Sequence, residues 1–472
     1  MAVTGQLSRA ALSRLPASAR PLVEPGAAGT GMVHFGLGAF FRAHQAAYTE
    51  AAMAHSGGDW AVTAVAPSSR TVLDPLRAQD HLFSVVTLGA GRTSAGDSPH
   101  QIRCGHTIGG VAAGPTRVVG AIAGSVLAAE DPQAVVALLA DPGVRVVTLT
   151  VTEKAYRPEA AVPRLLIAGL AARARADAGP ISLLSCDNLP SNGRTLDRLL
   201  TGMVPDDLRD WYAANVTCPS SMVDRIVPAT TAQTLDLARA DLGVSDLAAV
   251  AAEPFSQWVI EDRFAAGRPD WAAAGAVFTA DVTPWEHLKL RALNGVHSAL
   301  AYLGALAGRE AIADALTMPG AAGLLRHYLS TEVAASMTPP PGVSVIAYGD
   351  QALERFANHA LGHRCLQVAM DGTQKLPQRV LPMLAAPDPR LACLILAAWA
   401  RFAEGAADDG SPLDLNDPLA ATVRADLTTE GLFGPGGVLP VADPAHRAQI
   451  DTWRSALARH GAAALVAAEA PA

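Results

Sequence analysis

Lysine is scarce in this chain of 472 residues, and its three positions among 36 basic side chains are Lys154, Lys289 and Lys375. Arginine keeps its charge at any usable pH, whereas a lysine ammonium in a dry pocket can lose its proton and then act as a base. A lysine in such a composition is therefore a candidate for proton transfer. Drift in an arginine-rich composition is the alternative explanation for any single one of them.

Lys289 has neighbours that suit proton transfer. Glu286, Asn294 and His297 lie near it in the sequence, and at about 100° per residue of an α-helix all four side chains fall on one side. Such a group is expected to converge on one ligand. His297 taken alone would instead be read as a satisfied core histidine, and its position in this group favours the functional interpretation.

The same stretch carries two local signals for structure. Thr283 is predicted to cap a helix, and Glu286, three residues later, would complete a capping box, which is a structural alternative to a catalytic role. Asn294 and Gly295 are poor choices inside a helix, where glycine costs about 1 kcal/mol relative to alanine. Positions that break a local rule are often functional.

A strand, a glycine turn and a helix are predicted near the start of the chain. Apolar residues 31–35 run into Gly36 and Gly38, and a helical pattern continues to about residue 50. The positive end of such a helix can face a phosphate. Phe41 stands where the dinucleotide fingerprint has its third glycine, so this motif alone is weak evidence.

The remaining patterns predict an α/β chain with two domains. Strands are expected at 60–66, 144–151 and 181–186, with helical stretches between them, which favours a mostly parallel sheet covered by helices. Helical periodicity dominates from about residue 286 onward. We therefore expect a Rossmann-like dinucleotide-binding domain over 1–283 and a mainly α-helical substrate and catalytic domain over 284–472.

Composition excludes several classes of partner. A net charge of −8 gives no basic surface for nucleic acid or an anionic membrane, and no apolar run of spanning length occurs. We expect a cytoplasmic, soluble protein, monomeric by default, that acts on a small molecule. The alanine-rich segment after Gly461 is expected to fray. The cysteines lack the paired spacing of a zinc site or a disulfide framework, and they are Cys104, Cys186, Cys218, Cys365 and Cys393.

Four ordered motifs carry a resemblance to a known family. They are Gly36-x-Gly38-x-Phe40-x-Arg42-Ala-His-Gln, the run Ser-Cys-Asp-Asn-Leu-Pro-Ser-Asn-Gly at 185–193, Met222-Val-Asp224-Arg225, and Lys289-x-x-x-x-Asn294-x-x-His297. Together they resemble the polyol-specific long-chain dehydrogenases, a family that includes mannitol 2-dehydrogenases and fructuronate reductases.

The resemblance implies metal-free hydride transfer between a secondary alcohol and a nicotinamide. Lys289 would take the hydroxyl proton as the general base, and Asn188 and Asn294 would donate hydrogen bonds to the oxygen as it gains negative charge. His297 would orient the substrate hydroxyls. Glu286 matches a proton-relay carboxylate of the family.

The resemblance also implies a dinucleotide site, with one departure. After the second predicted strand no carboxylate is available for the NAD ribose, and an arginine beside two serines would suit the 2′-phosphate of NADP. We expect NAD, with NADP as the open alternative. The residues assigned to the dinucleotide are Gly36, Gly38, Phe40 and Arg42 in the first turn, and Ser68, Ser69 and Arg70 after the second strand.

Four further residues are assigned to the substrate: Asp224, Gln367, Lys375 and Arg379. The run at 370–379 resembles that of the hexuronate reductases, whereas some mannitol-specific relatives have arginine at the position of Gln367. Lys375 and Arg379 would pair with a substrate carboxylate, or they are ordinary surface charges. D-mannitol with D-fructose and D-mannonate with D-fructuronate both remain open as substrate pairs.

Two other classes of function compete with this assignment. A nucleotide-binding sensor or regulator would keep the fold without turnover, although such a protein would not need Lys289. A zinc-dependent alcohol dehydrogenase is disfavoured because no cysteine and histidine cluster has ligand spacing.

Overall fold

A computed structural model describes residues 5–89 and 116–471 of the chain. The chain divides into two units, Met1–Thr283 and Pro284–Ala472. The assignment of the dinucleotide to the first unit and of the substrate to the second stays a prediction. Cys104 lies outside the described residues, and the other four cysteines are buried thiols.

The first unit alternates strands with helices. Its strands are β1 Thr30–Phe35, β2 Ala61–Ala66, β3 Phe83–Thr87, β4 Thr116–Val119, β5 Ile122–Leu127, β6 Val146–Leu149, β7 Ile181–Ser185, β8 Val216–Thr217, β9 Ser221–Asp224, β10 Val250–Ala252, β11 Gln257–Glu261 and β12 Val277–Thr279. Its helices are α1 Ala39–Ala43, α2 Gln45–Ser56, α3 Leu73–Ala78, α4 Pro132–Ala140, α5 Ala161–Arg175, α6 Asn192–Thr201, α7 Arg209–Asn215 and α8 Ala232–Leu242.

A parallel sheet of six strands forms the centre of this unit. Its order is β5-β2-β1-β6-β7-β8, and every neighbouring pair runs parallel. Two sheets of three strands, β10-β3-β4 and β12-β11-β9, accompany it. The predicted Rossmann-like sheet is confirmed. Because parallel strands end at a common edge, the residues that follow β1, β2, β6 and β7 lie along the edge where such folds bind ligands.

The alternation within β1 shows why this sheet is buried on both faces. Met32 belongs to a core cluster with residues of α1 and α2. Val33 and Phe35 belong to a second cluster with residues of α4, α5 and α6. Since crossover helices cover both faces of a parallel sheet, an apolar run without polar alternation forms its central strands.

The second unit is built from helices. They are α9 Thr283–Leu288, which begins one residue before the unit, α10 Val296–Leu306, α11 Ile312–Leu316, α12 Ala321–Tyr328, α13 Val345–Phe356, α14 Cys365–Val368, α15 Gly372–Arg379, α16 Arg390–Ala403, α17 Ala420–Ala425, α18 Thr429–Phe433, α19 Pro444–His460 and α20 Ala462–Glu469. Two π-helical segments, Lys289–Gly295 and Leu329–Val333, continue α9 and α12. The predicted mainly helical second half is confirmed.

The expectation of a frayed C-terminal segment is wrong. Residues after Gly461 form α20, with Ala462, Leu465 and Val466 buried, and α20 packs against α10, α12 and α19. Leucine and valine supply enough apolar surface to order a segment that is otherwise rich in alanine. Across residues 5–89 and 116–471, no helix combines the length and the apolar character needed to cross a membrane.

Candidate active site

The turn after β1 requires glycine at one of its two predicted positions. Gly36 has a φ of +103°, and a Cβ there would lie 2.0 Å from the carbonyl oxygen of Thr150. A side chain is excluded because the segment after β6 passes too close. Around Gly38, nothing lies within 4 Å of the place that a Cβ would take. Its role in binding the dinucleotide stays a prediction.

The helix after this turn is shorter than predicted. His44, with φ −121° and ψ −88°, separates the five residues of α1 from α2, so the single helix expected to about residue 50 is wrong in detail. Phe41, in the place of the missing glycine, stacks on His34 with ring centroids 3.5 Å apart. Phe40 is partly exposed, and its contact with the dinucleotide stays a prediction.

Arg42 points into the unit in this structure. Its guanidinium is buried and donates to the carbonyl oxygens of Gly38, at 3.3 Å, and Ala248. Burial lowers the pKa of Arg42 to about 10, opposed by the nearby charge of Asp246. The side chain therefore ties the glycine turn to the segment before β10.

The segment after β2 presents Ser68, Ser69 and Arg70 to solvent. The hydroxyl of Ser69 donates to Thr71 Oγ1 at 3.0 Å. Arg70 is paired with a carboxylate: its Nη2 lies 2.5 and 2.6 Å from the two carboxylate oxygens of Glu130. The guanidinium expected to suit a 2′-phosphate is therefore already engaged.

A buried network fixes the loop that carries Asn188. Asp187 accepts a hydrogen bond from the backbone N–H of Thr152 at 2.7 Å and from the hydroxyl of Tyr156 at 2.7 Å. Tyr156 also lies 2.5 Å from Ser185 Oγ. Burial raises the pKa of Asp187, and the hydrogen bond from Tyr156 opposes this shift. The loops after β6 and β7 are thus joined, with Asn188 on the exposed side of the second.

Asn192 joins the same loop to β9. Its Nδ2 donates to the carbonyl oxygen of Ser221 at 2.8 Å, and its Oδ1 accepts from the N–H of Ser221 at 2.9 Å. A Cβ on Gly193 would lie 2.4 Å from the carbonyl oxygen of Pro219, so only glycine allows this approach. Asp224 ends β9 and is buried. The sequence did not assign Asp187, Tyr156 or Asn192, although polar residues after a buried strand were the available signal.

The helix that leads to Lys289 begins at Thr283 itself. The N–H and the hydroxyl of Thr283 both donate to Asp281 Oδ1, at 3.0 and 2.7 Å. The predicted helix start therefore agrees with the structure to within one residue, and Asp281 supplies the carboxylate that accepts from Thr283. Glu286 is buried within α9.

Lys289 opens a π-helical segment that ends at Gly295. The spacing of about 100° per residue in an ideal α-helix therefore does not apply to this segment. In a π-helix the backbone hydrogen bonds join residues that are five apart. The backbone therefore brings Lys289 and Asn294 onto nearly the same face of the helix. Both side chains are partly exposed. Single π-turns are frequent at functional sites.

Gly295 has a packing requirement of its own. A Cβ there would lie 2.8 Å from the carbonyl oxygen of Arg379, and the π-helical segment packs against α15. The glycine is therefore needed for the close approach of α15. The unusual Asn294-Gly295 pair thus combines a candidate functional residue with a structural one.

His297 stacks on two other rings. Its imidazole stacks on Phe356 with centroids 4.5 Å apart and on His363 with centroids 5.5 Å apart, both at an interplanar angle of 19°. Burial lowers the pKa of His297 well below its ordinary value, and His363 lowers it further. The ring is therefore neutral near pH 7. Its Nε2 makes no hydrogen bond to any residue that the structure describes.

Three cations also act on His297. Arg379, Arg355 and Lys375 each lower its pKa further through their charge. Burial lowers the pKa of Arg379 to about 10, and burial followed by the charge of Arg379 lowers the pKa of Lys375. Two carboxylates oppose these cations at Lys375: Asp371 lies 3.6 Å from Lys375 Nζ, and the charge of Asp417 also raises the pKa of Lys375. This region of the second unit is electropositive and suits an anionic group.

The loop before α15 sets the position of Lys375. Asp371 adopts a left-handed conformation with φ +57°, and a Cβ on Gly372 would lie 2.4 Å from Trp399 Nε1. The start of α15 is therefore seated against α16. Gln367 lies on α14 and is exposed. Substrate contacts of Gln367, Lys375, Arg379 and Asp224 stay predictions.

Among the residues described, no group of three or more histidine, cysteine, aspartate or glutamate side chains is placed to hold a metal ion. Metal independence itself stays a prediction.

Family models match both halves of the chain. The mannitol dehydrogenase Rossmann domain matches residues 30–273, and the mannitol dehydrogenase C-terminal domain matches residues 281–431.

Similar proteins agree with this match. An uncharacterised oxidoreductase of Escherichia coli K12, YeiQ, is 37% identical over 83% of this chain and 83% of its own length. The D-mannonate oxidoreductase of the same organism is 35% identical over 87% of both chains. The Pseudomonas fluorescens mannitol 2-dehydrogenase, solved with NAD and D-mannitol, has a TM-score of 0.81 at 30% identity and 98% coverage of both chains. The chain belongs to the mannitol dehydrogenase family.

Proposed function

We propose that this chain is an NAD-dependent oxidoreductase that interconverts a linear sugar acid, of the D-mannonate type, with its 2-keto form, of the D-fructuronate type. The observation that carries the choice of a sugar acid is the pair of cations on α15, Lys375 and Arg379, beside a neutral His297: Arg379 Nη1 lies 3.2 Å from the hydroxyl oxygen of Ser298, the residue after His297, and both cations lower the pKa of His297. A carboxylate gains more from such surroundings than a polyol hydroxyl does. The alternative substrate pair is D-mannitol and D-fructose.

In the proposed mechanism Lys289 transfers one proton. NAD, when bound, supplies the acceptor for the hydride that leaves the alcohol carbon. Lys289 Nζ takes the proton of the reacting hydroxyl, and the carboxamides of Asn188 and Asn294 donate hydrogen bonds to that oxygen as negative charge develops. Glu286 passes the proton onward. In the reverse direction Lys289 returns a proton to the carbonyl oxygen.

Substrate binding is assigned to the second unit. The neutral ring of His297 exchanges a hydrogen bond with a substrate hydroxyl through Nε2, and Lys375 and Arg379 pair with the carboxylate. The family match and the D-mannonate oxidoreductase relative support this assignment. So does glutamine at position 367, where some mannitol-specific relatives have arginine.

Steady-state assays test the proposal directly. Fructuronate and fructose are compared as substrates with NADH and with NADPH, each with and without a chelator. We expect kcat/KM for fructuronate with NADH to exceed that for fructose by at least about tenfold, because only the acid can pair with two cations. A preference for fructose would instead favour D-mannitol and D-fructose as the substrate pair. Absence of turnover with either would contradict the enzymatic proposal, and loss of activity with the chelator would revive a metal mechanism.

A further inference from the structure

The segment after β5 lies beside the segment after β2. The two strands pair in parallel, with Ala66 opposite Leu127. Beyond them, the N–H of Ala128 donates to the carbonyl oxygen of Ala66 at 2.9 Å, and that of Ala129 donates to Pro67 at 3.1 Å. This pairing delivers the next residue, Glu130, to the edge of the sheet where a Rossmann fold holds the adenosine ribose.

Glu130 and Arg70 form a bidentate pair at this edge. Arg70 Nη2 contacts both carboxylate oxygens, and Arg70 Nε lies 2.9 Å from Glu130 Oε1. Asp74 adds a second carboxylate 3.4 Å from Arg70 Nη1. Both partners of the main pair are about half exposed, so the pair adds little to the stability of the fold. Its effect is on the local charge, because Glu130 and Asp74 together carry two negative charges and Arg70 carries one positive charge.

The two dinucleotides differ at the atom that such a carboxylate would meet. The ribose 2′-hydroxyl of NAD is a neutral donor that suits a carboxylate acceptor, whereas the 2′-phosphate of NADP is an anion that needs an unpaired cation. We propose that Glu130 is the residue that discriminates between NAD and NADP. It takes the place of the carboxylate missing after β2 and neutralises Arg70. This inference rests on the dinucleotide binding of the proposed function.

Titration of the full chain with each dinucleotide tests the inference without any need for turnover. Binding of NAD and NADP is followed by isothermal calorimetry. We expect the unmodified chain to prefer NAD. Glu130→Gln should raise the affinity for NADP on the order of tenfold, because it removes a repelling charge and leaves Arg70 available. Adding Arg70→Ala to that variant should remove the gain.

Asp206→Asn is the matched control, because Asp206 forms another exposed ion pair of the first unit, 2.8 Å from Arg209. It should leave both affinities unchanged. An unchanged NADP affinity in Glu130→Gln would overturn the inference while leaving the proposed function intact. A preference of the unmodified chain for NADP would overturn both the inference and the NAD dependence of the proposed function, without touching the sugar-acid chemistry. If the unmodified chain bound neither dinucleotide, both would be wrong.

Discussion

Lys289 is the side chain on which the proposed chemistry depends most directly. It opens the π-helical segment and lies five residues before Asn294, so the proposed base and the proposed oxygen-binding carboxamide share one turn. Arginine cannot replace it, because a guanidinium keeps its proton at the pH of catalysis. A requirement for proton transfer at Lys289 would therefore separate a catalyst from a nucleotide-binding sensor.

Replacing Lys289 tests that distinction. We expect Lys289→Ala to lower kcat by about 10²- to 10⁴-fold, the usual range for loss of a general acid or base, while the affinity for NAD stays the same. Lys289→Arg should be similarly inactive, which would show that proton transfer rather than charge is required. Arg309→Ala, at an exposed position of the same unit, is the control. Unchanged turnover in Lys289→Ala would contradict the role of Lys289 as the general base, whereas NAD binding without turnover in the unmodified chain would favour the sensor.

The candidate catalytic residues could be predicted from the sequence, but the residues that hold them in place could not. The types and spacing of Lys289, Asn294 and His297 were enough to propose a site. Asp187 and Asn192 were present in the same motif as Asn188, yet their hydrogen bonds run to segments far away in the sequence. A single sequence does not show which distant backbone groups a side chain will meet.

The π-helical segment is the element that most changes the sequence-based expectation. Its fit against α15 depends on the missing side chain of Gly295, since α15 ends at the carbonyl that comes closest. Insertion of a methyl group there requires backbone to move. The same helix carries Lys375, so a shift of α15 reaches a residue assigned to the substrate.

We expect Gly295→Ala to lower the free energy of unfolding by about 1 to 3 kcal/mol, the usual cost of overpacking, and to raise KM. Gly323→Ala is the matched control, because it lies within α12 and a Cβ there would meet its nearest atom at 3.9 Å. That variant should be neutral or more stable, since alanine is the better helix former. Urea unfolding compares the two, and equal stabilities would contradict the packing argument.

Stability as a function of pH is a property of the whole chain, and one buried acid should affect it. Glu50 is fully buried, and its Oε1 accepts from the N–H of Gly120 at 2.6 Å. Burial raises the pKa of Glu50 to about 7, opposed by the charge of Arg117. The folded chain therefore holds this proton more tightly than the unfolded chain. Between the ordinary pKa of a glutamate and about pH 7, stability falls as pH rises.

Glu50→Gln should remove this dependence. Relative to the unmodified chain, the free energy of unfolding of the variant should rise by about 3 kcal/mol between pH 4.5 and pH 8, because each unit of pKa shift corresponds to about 1.4 kcal/mol. Urea unfolding at several pH values measures the difference. Glu159→Gln, at an exposed position, should show no such trend. Parallel pH curves for Glu50→Gln and the unmodified chain would contradict the prediction.

The kinds of element, their order along the chain and the family could be predicted from the sequence alone. Apolar runs, glycine turns and helical periodicity are local patterns, and local patterns are enough to predict a parallel sheet followed by helices. The residues of the candidate site were recognisable for the same reason, since their types and spacing stand within short motifs.

How those residues are held in place could be seen only in the folded chain. The pairing of Arg70 with Glu130, the burial of Arg42 and the packing of α20 all depend on partners distant in the sequence. The π-helical segment that begins at Lys289 also packs against distant helices, α13 and α15. Local sequence preferences do not identify such partners, because close packing and buried hydrogen bonds form only when separate segments of the chain meet.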